Sequence, residues 1–110
     1  MELFIDTTER EVIKLALLDG KKVIVQRRKH TREISENLLS EIAGLLKSKK
    51  MRLSDLEKIS VNPGPGGFAS TRSGVATANA LAYALGILKK TVSPKYDKEP
   101  NITKPRRLSS

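Results

Sequence analysis

Apolar and polar residues alternate in two segments near the start of the chain, and this spacing predicts β-strands. Leu3 to Ile5 is a short apolar run, and Val12 to Leu18 places every second apolar residue on one face. Asp19-Gly20 separates this second strand from the apolar run Val23 to Val25. Because glycine tolerates a positive φ, an Asp-Gly pair between two apolar runs indicates a tight hairpin. The opening is therefore predicted to form three strands in an antiparallel meander.

The apolar period then lengthens to three and four residues, which is typical of an amphipathic helix. The segments that follow are a helix from about Arg32 to Lys49, a single helical turn with a capping-box pattern at Ser54 to Glu57, a short buried strand at Ile59 to Val61, a second helix from about Ser70 to Leu85, and a last strand at Ile87 to Val92. The predicted order is β-β-β-α-β-α-β. This order is typical of an α/β fold, a single ribonuclease-H-like lobe with a mixed five-stranded sheet.

Length and charge indicate one domain with a basic tail. The chain has 110 residues and a formal net charge of +9, and residues 89–110 hold 7 of the 21 basic and 2 of the 12 acidic groups. We predict a domain at residues 1–94 and a basic, proline-containing tail at residues 95–110. The charge favours an acidic partner such as RNA or an acidic protein face.

The absence of cysteine excludes disulfides and thiolate chemistry. The opening lacks the pattern of a secretory signal, so we expect a cytoplasmic protein.

A glycine-proline loop lies between the fourth strand and the second helix. Pro63 to Phe68 could bind an anion through backbone N–H groups or could serve only as a rigid turn; it lacks the lysine of a Walker motif. In the helix that follows, Gly74, Ala78 and Ala82 form a strip of small residues that lets another backbone approach closely. The residues that pack against this strip could belong to this chain or to another chain.

Two further groups of residues suggest alternative functions. Asp6, Thr7 and Thr8 end the first strand, where a ribonuclease-H-like lobe places either a phosphate-facing loop or a metal-binding carboxylate. A metal-dependent nuclease centred on Asp6 would need further carboxylates, for which the candidates are Glu33, Glu36 and Glu41; Asn62 ends the fourth strand where such an enzyme would offer an acid. A small RNA-binding module would instead use the basic residues Arg27, Arg28, Lys29, Arg32, Arg106 and Arg107. No catalytic residue, metal site or cofactor is predicted.

The loop and the second helix together carry a resemblance to a known family. Asn62 to Ala78 reads NPGPGGFASTRSGVATA and resembles the segment GPGSFTGLRIGVATAKGLA of the TsaB family. Phe4 to Thr8 is similar to the opening strand and loop of that family, Val12 to Lys22 to its Asp-Gly hairpin, and Leu53 to Leu56 to the turn before its fourth strand. The resemblance covers residues 1 to about 94.

Two departures from the family pattern stand out. Family members commonly carry His-Ser at the start of the first helix, where this chain has Ile34-Ser35. The family also has a second actin-like lobe, for which the chain leaves no room, so we expect a short, one-lobe form that binds ATP weakly or not at all on its own.

The resemblance implies an actin-like ATPase fold and a role in making threonylcarbamoyladenosine in tRNA. In that family TsaB is a noncatalytic scaffold, and its partner TsaD binds metal and nucleotide and transfers the threonylcarbamoyl group. The two proteins meet through a bundle of their first-lobe helices, and the same surface could form a homodimer when TsaD is absent. A further subunit could join, and tRNA would be contacted indirectly. The residues expected at the helix contact are Ile34, Leu38, Ile42, Gly74, Ala78, Leu81 and Leu85.

Overall fold

The computed structural model describes residues 1–86 and shows a mixed sheet with two helices. Its elements are β1 (Glu2–Asp6), β2 (Val12–Asp19), β3 (Lys22–His30), α1 (Ile34–Ser48), a 3-10 turn at Leu53–Asp55, β4 (Lys58–Val61) and α2 (Phe68–Ala84). The strands lie in the order β3-β2-β1-β4. The β1-β2 and β2-β3 pairs are antiparallel, and β4 runs parallel to β1.

The described elements follow the order β-β-β-α-β-α. The predicted fifth strand, Ile87 to Val92, lies outside the described residues, so the five-stranded sheet stays a prediction, as do the boundary at residue 94 and the tail at residues 95–110. None of the helices within residues 1–86 is long and apolar enough to cross a membrane.

The meander forms where the Asp-Gly pair predicts it. Gly20 has a φ of 64°, which is the left-handed conformation that a tight hairpin turn needs. The third strand is longer than its apolar run, because the pairing of β2 with β3 continues from Leu18 and Val23 to Val12 and His30. The basic run Arg27 to His30 is therefore part of an edge strand, where charged side chains are tolerated because one side of the strand is open.

Both helices pack on the same face of the sheet. Helix α1 lies over β2 and β3, α2 lies over β1 and β4, and the two helices contact each other. The core combines the inward-facing side chains of β1 and β2 with one stripe of α1, and Leu56 and Ala78 complete it. Its residues from β1, β2 and α1 are Leu3, Ile5, Ile13, Leu15, Leu17, Ile34, Leu38, Ile42, Leu45 and Leu46. Alternation in the strands and the helical period in α1 account for all of these positions.

Candidate functional site

The loop at the end of β1 is organised around the carboxylate of Asp6. The backbone amide of Thr8 donates to Asp6 Oδ1 at 2.9 Å, and the Thr8 hydroxyl donates to the same oxygen at 2.7 Å. The side-chain amide of Asn62, just after β4, donates to Asp6 Oδ2 at 3.3 Å. Because β1 and β4 are parallel neighbours, their carboxyl ends meet at one edge of the sheet, and Asp6 joins the two loops there.

The glycine-proline loop closes over the β1 loop. The amide of Gly67 donates to the carbonyl oxygen of Thr8 at 3.1 Å, and the amide of Gly64 donates to Asn62 Oδ1 at 3.1 Å. Gly64 has a φ of 113°, which only glycine adopts readily, and its bond to Pro65 is cis. A Cβ on Gly66 would lie 2.6 Å from both the Cβ and the carbonyl oxygen of Thr8. This loop therefore needs glycine because two backbone segments are in direct contact.

Thr7 connects the β1 loop to the first turns of α2. It is 1% exposed, and its hydroxyl donates to the carbonyl oxygen of Ser70 at 2.5 Å. A Cβ on Gly74 would collide with the Thr7 hydroxyl, so Gly74 makes room for the threonine. The hydroxyl of Thr71 is buried beside Gly66 and has no hydrogen-bond partner within residues 1–86. The motif from Asn62 to Ala78 thus serves to hold α2 on the end of β1.

The pKa of Asp6 is lowered in the folded protein. Partial burial would raise it, but hydrogen bonds from the Thr8 hydroxyl and amide and from Asn62, together with the positive charge of Lys14, outweigh that effect. A carboxylate with a lowered pKa in the folded state adds stability above its ordinary pKa and loses that contribution as the pH falls through the folded value.

We expect Asp6→Asn to destabilise the protein at neutral pH, by an amount that shrinks as the pH falls through the lowered pKa of Asp6. The charged carboxylate accepts three hydrogen bonds that the amide cannot all replace, whereas in acid the wild-type carboxyl is protonated and loses the same advantage. Urea unfolding of both proteins between pH 2 and pH 7 measures the difference. Ser54→Ala serves as a surface control, and a gap between wild type and Asp6→Asn that stays constant with pH would contradict this role of Asp6.

The nucleotide and nuclease predictions both fall on this loop. Asp6, Thr7 and Thr8 lie together, but the hydroxyls of both threonines donate to atoms of this chain. The candidate acids Glu33, Glu36 and Glu41 lie on or just before α1, and Glu41 contacts Arg27 at 2.9 Å. Within residues 1–86 no group of three or more potential metal-ligating His, Asp or Glu side chains comes together.

Most of the residues expected at the helix contact are core residues in this structure. Ile34, Leu38, Ile42 and Ala78 are at most 7% exposed, and they pack within this chain. Gly74 is also buried, against Thr7. Leu81 and Leu85 are partly buried and pack against the core. In this chain the sheet covers the face of α1 that the period identifies as apolar, and the helix contact itself stays a prediction.

A different face of the two helices remains open. The hydroxyls of Ser35 and Ser73 are 2.7 Å apart and join the first turn of α1 to the second turn of α2. From this contact onwards, each helix exposes apolar side chains spaced three or four residues apart. We call these residues the outer helix face: Leu39 and Ala43 on α1, and Ala76, Ala80 and Tyr83 on α2. Leu39 is 57% exposed and Tyr83 is 80% exposed. Leu39 and Tyr83 are not among the contact residues expected from the sequence, although Leu39 widens the apolar stripe of α1 beyond one face.

Four of the six basic residues of the RNA prediction fall within residues 1–86, where they lie on or just after β3, and three of these four contact carboxylates. Arg27 lies beside Glu41, Arg28 beside Glu9, and Arg32 lies 4.0 Å from Glu11. Lys29 is exposed. Arg106 and Arg107 lie outside the described residues, so their part of the prediction stays a prediction.

Comparisons with solved structures show the fold. YeaZ from Pseudomonas aeruginosa is similar with a TM-score of 0.70 and 27% sequence identity, over 77% of this chain and 40% of that protein. A second structure, a protein with similarity to the peptidase YEAZ from the same organism, matches with a TM-score of 0.69 and 27% identity, over 77% of this chain and 39% of that one. The fold is therefore YeaZ-like.

Sequence comparisons agree with the structural ones. Uncharacterized proteins from Mycobacterium tuberculosis and Mycobacterium bovis are 35% identical over 68 residues, which is 62% of this chain and 30% of each relative. The chain thus spans less than half the length of the relatives and structures it matches.

A family model matches most of the chain. The model described as "TsaD: tRNA N6-adenosine threonylcarbamoyltransferase" matches residues 23–93. This range includes α1, the glycine-proline loop and all of α2. Because the match covers more than half of its residues, the chain belongs to the TsaD family.

Proposed function

We propose that this chain is a noncatalytic, TsaB-like partner that binds and stabilises TsaD in the threonylcarbamoyladenosine modification of tRNA. Membership of the TsaD family and the YeaZ-like fold support a place in tRNA modification. The noncatalytic role fits the loop around Asp6, whose carboxylate and threonine hydroxyls hold the fold together. Relatives of the chain are longer than it is, so the role of a whole relative is carried over here only as part of this proposal.

The outer helix face carries the proposal. Exposed apolar side chains scattered singly are ordinary, but here Leu39 and Tyr83 occur on two adjoining helices with exposed alanines between them. Small residues let a partner helix approach closely, and large apolar residues at the rim can anchor it. This face could accept two helices of TsaD in a four-helix contact. A homodimer through the same face would be the alternative when TsaD is absent.

Light scattering after size exclusion tests the proposal with the chain alone and mixed with TsaD from the same genome. We expect a one-to-one complex. Leu39→Arg should weaken that complex at least tenfold, because a charge placed among apolar contacts is left without a partner. Binding by isothermal titration gives the affinity.

The matched control is Leu53→Arg. Leu53 is also exposed, at 38%, but lies on the 3-10 turn at the other end of α1. The Leu53→Arg variant should bind TsaD with the affinity of the wild type. The absence of a complex with the wild-type chain, or equal losses in both variants, would rule out the outer helix face as the TsaD contact.

A further inference from the structure

Four cations near the carboxyl end of β1 are paired with carboxylates, whereas Arg10 and Lys29 have no carboxylate oxygen of residues 1–86 within 4.0 Å. The contacts are Lys14 and Arg28 with Glu9 at 3.0 Å, Arg27 with Glu41 at 2.9 Å, and Arg32 with Glu11 at 4.0 Å. Neighbouring carboxylates lower the positive potential that these cations present to solvent. The basic run on β3 is therefore a weaker polyanion surface than its sequence indicates.

The opposite end of the domain collects seven cations from distant parts of the sequence. Glu2, at the start of β1, pairs with Leu18 on one side and with Lys58 on the other, so the β2-β3 hairpin and the start of β4 lie at the same end of the sheet. The connection from α1 to β4 reaches that end too, since the amide of Glu57 donates to the carbonyl oxygen of Met1. These residues, which we call the cationic end, are Lys21, Lys22, Lys47, Lys49, Lys50, Arg52 and Lys58.

The cationic end is exposed and not neutralised within residues 1–86. All seven side chains are exposed, and none of them lies within 4.0 Å of a carboxylate oxygen of the described residues. Three of the four nearby acids have partners other than the seven cationic side chains: Glu2 accepts from the Ser60 hydroxyl, Asp55 accepts from the backbone amide of Arg52, and Glu57 pairs with the amino group of Met1. The fourth, Asp19, lies in the hairpin. The cations therefore outnumber the acids and keep their charge available to a partner.

The chemistry of this surface fits a phosphate backbone. Lysine is a flexible point charge that contacts phosphates without reading bases, and six of the seven cations are lysines. None of the aromatic residues within residues 1–86 belongs to the cationic end, so it offers no platform on which unpaired bases could stack. We propose that the cationic end is the surface through which this chain contacts the phosphate backbone of tRNA. The choice of tRNA rests on the proposed function; the position of the surface rests on the fold and the ion pairs.

Two variants that remove the same charge test this proposal. The first variant removes three charges from the cationic end through Lys47→Gln, Lys49→Gln and Lys50→Gln. The β3 variant removes three charges from the β3 region through Arg28→Gln, Lys29→Gln and Arg32→Gln. Binding of fluorescently labelled tRNA is measured by anisotropy at several salt concentrations, for the chain alone and with TsaD. We expect the first variant to lose at least tenfold in affinity and to flatten the plot of log affinity against log salt by up to about three units. The β3 variant should lose less than about threefold.

The outcomes separate this proposal from the proposed function. Equal losses in the two variants, a larger loss in the β3 variant, or no tRNA binding by the wild type would overturn it. Association with TsaD, measured on the same proteins, should be unchanged in the first variant. If the wild-type chain does not bind TsaD, the proposed function fails, while the comparison of the two variants still decides which surface meets tRNA. Thermal unfolding checks the fold, and Lys21→Gln, Lys22→Gln and Lys58→Gln together replace the first variant if it does not fold.

Discussion

Gly66→Ala is expected to destabilise the domain by about 3 kcal/mol. The added methyl group would lie 2.6 Å from the carbonyl oxygen and the Cβ of Thr8 and 2.7 Å from the buried hydroxyl of Thr71. Because one of these atoms belongs to the backbone, no side-chain rotation relieves the overlap. The loop must instead move away from Thr8, which breaks the hydrogen bond from Gly67 to Thr8 and loosens α2 on β1. Urea unfolding, with its midpoint and slope, measures the loss.

Gly44→Ala is the matched control for this substitution. Gly44 lies inside α1, and the atoms nearest to an added Cβ, at 3.1 to 3.2 Å, belong to the guanidinium of Arg27. That group is the end of a flexible side chain and can shift, and alanine is favoured over glycine in a helix by about 1 kcal/mol. The control should therefore be neutral or slightly stabilising. A loss below about 1 kcal/mol in Gly66→Ala would mean that the loop is not held as tightly as its contacts indicate.

Replacing each of two adjacent leucines by alanine should change the free energy of unfolding by very different amounts. Leu38 is 0% exposed and lies in the core, so Leu38→Ala is expected to cost about 4 kcal/mol through lost burial and the cavity left behind. That is a large part of the stability of a small domain, which is about 5 to 15 kcal/mol. Leu39 is 57% exposed, so Leu39→Ala should change stability by about 0.5 kcal/mol or less.

The same pair separates core from partner contact. Leu39→Ala should weaken the complex with TsaD while the isolated chain stays folded, and Leu38→Ala should affect the complex only in proportion to the fraction of unfolded chain. Denaturant unfolding and titration with TsaD, run side by side, give both quantities. If Leu39→Ala unfolds the chain as strongly as Leu38→Ala, then Leu39 belongs to the core and the outer helix face is not a free surface.

Most elements of the fold within residues 1–86 follow from local signals. Alternation predicts β1 and β2, the Asp-Gly pair predicts the hairpin, and the three-to-four spacing predicts α1. The length of β3 was underestimated because its second half is charged, and strand pairing with β2 overrides that composition at a sheet edge. The composition of the glycine-proline loop allows either an anion site or a rigid turn. In the structure, the space beside its glycines is filled by the backbone and threonine side chains of this chain, which is the packing of a rigid turn.

The sequence by itself determined the elements, the meander and the family resemblance of the segment from Asn62 to Ala78, because each depends on residues close together in the chain. Only the tertiary structure decided which apolar residues face the core, since Leu38 and Leu39 have the same side chain and differ only in what lies opposite them. It also decided which cations stay unpaired. The ion pairs depend on strand register, and so does the position of Lys21, Lys49 and Lys58 at one end of the domain, together with the return of the chain through α1. Both are long-range properties that no local pattern contains.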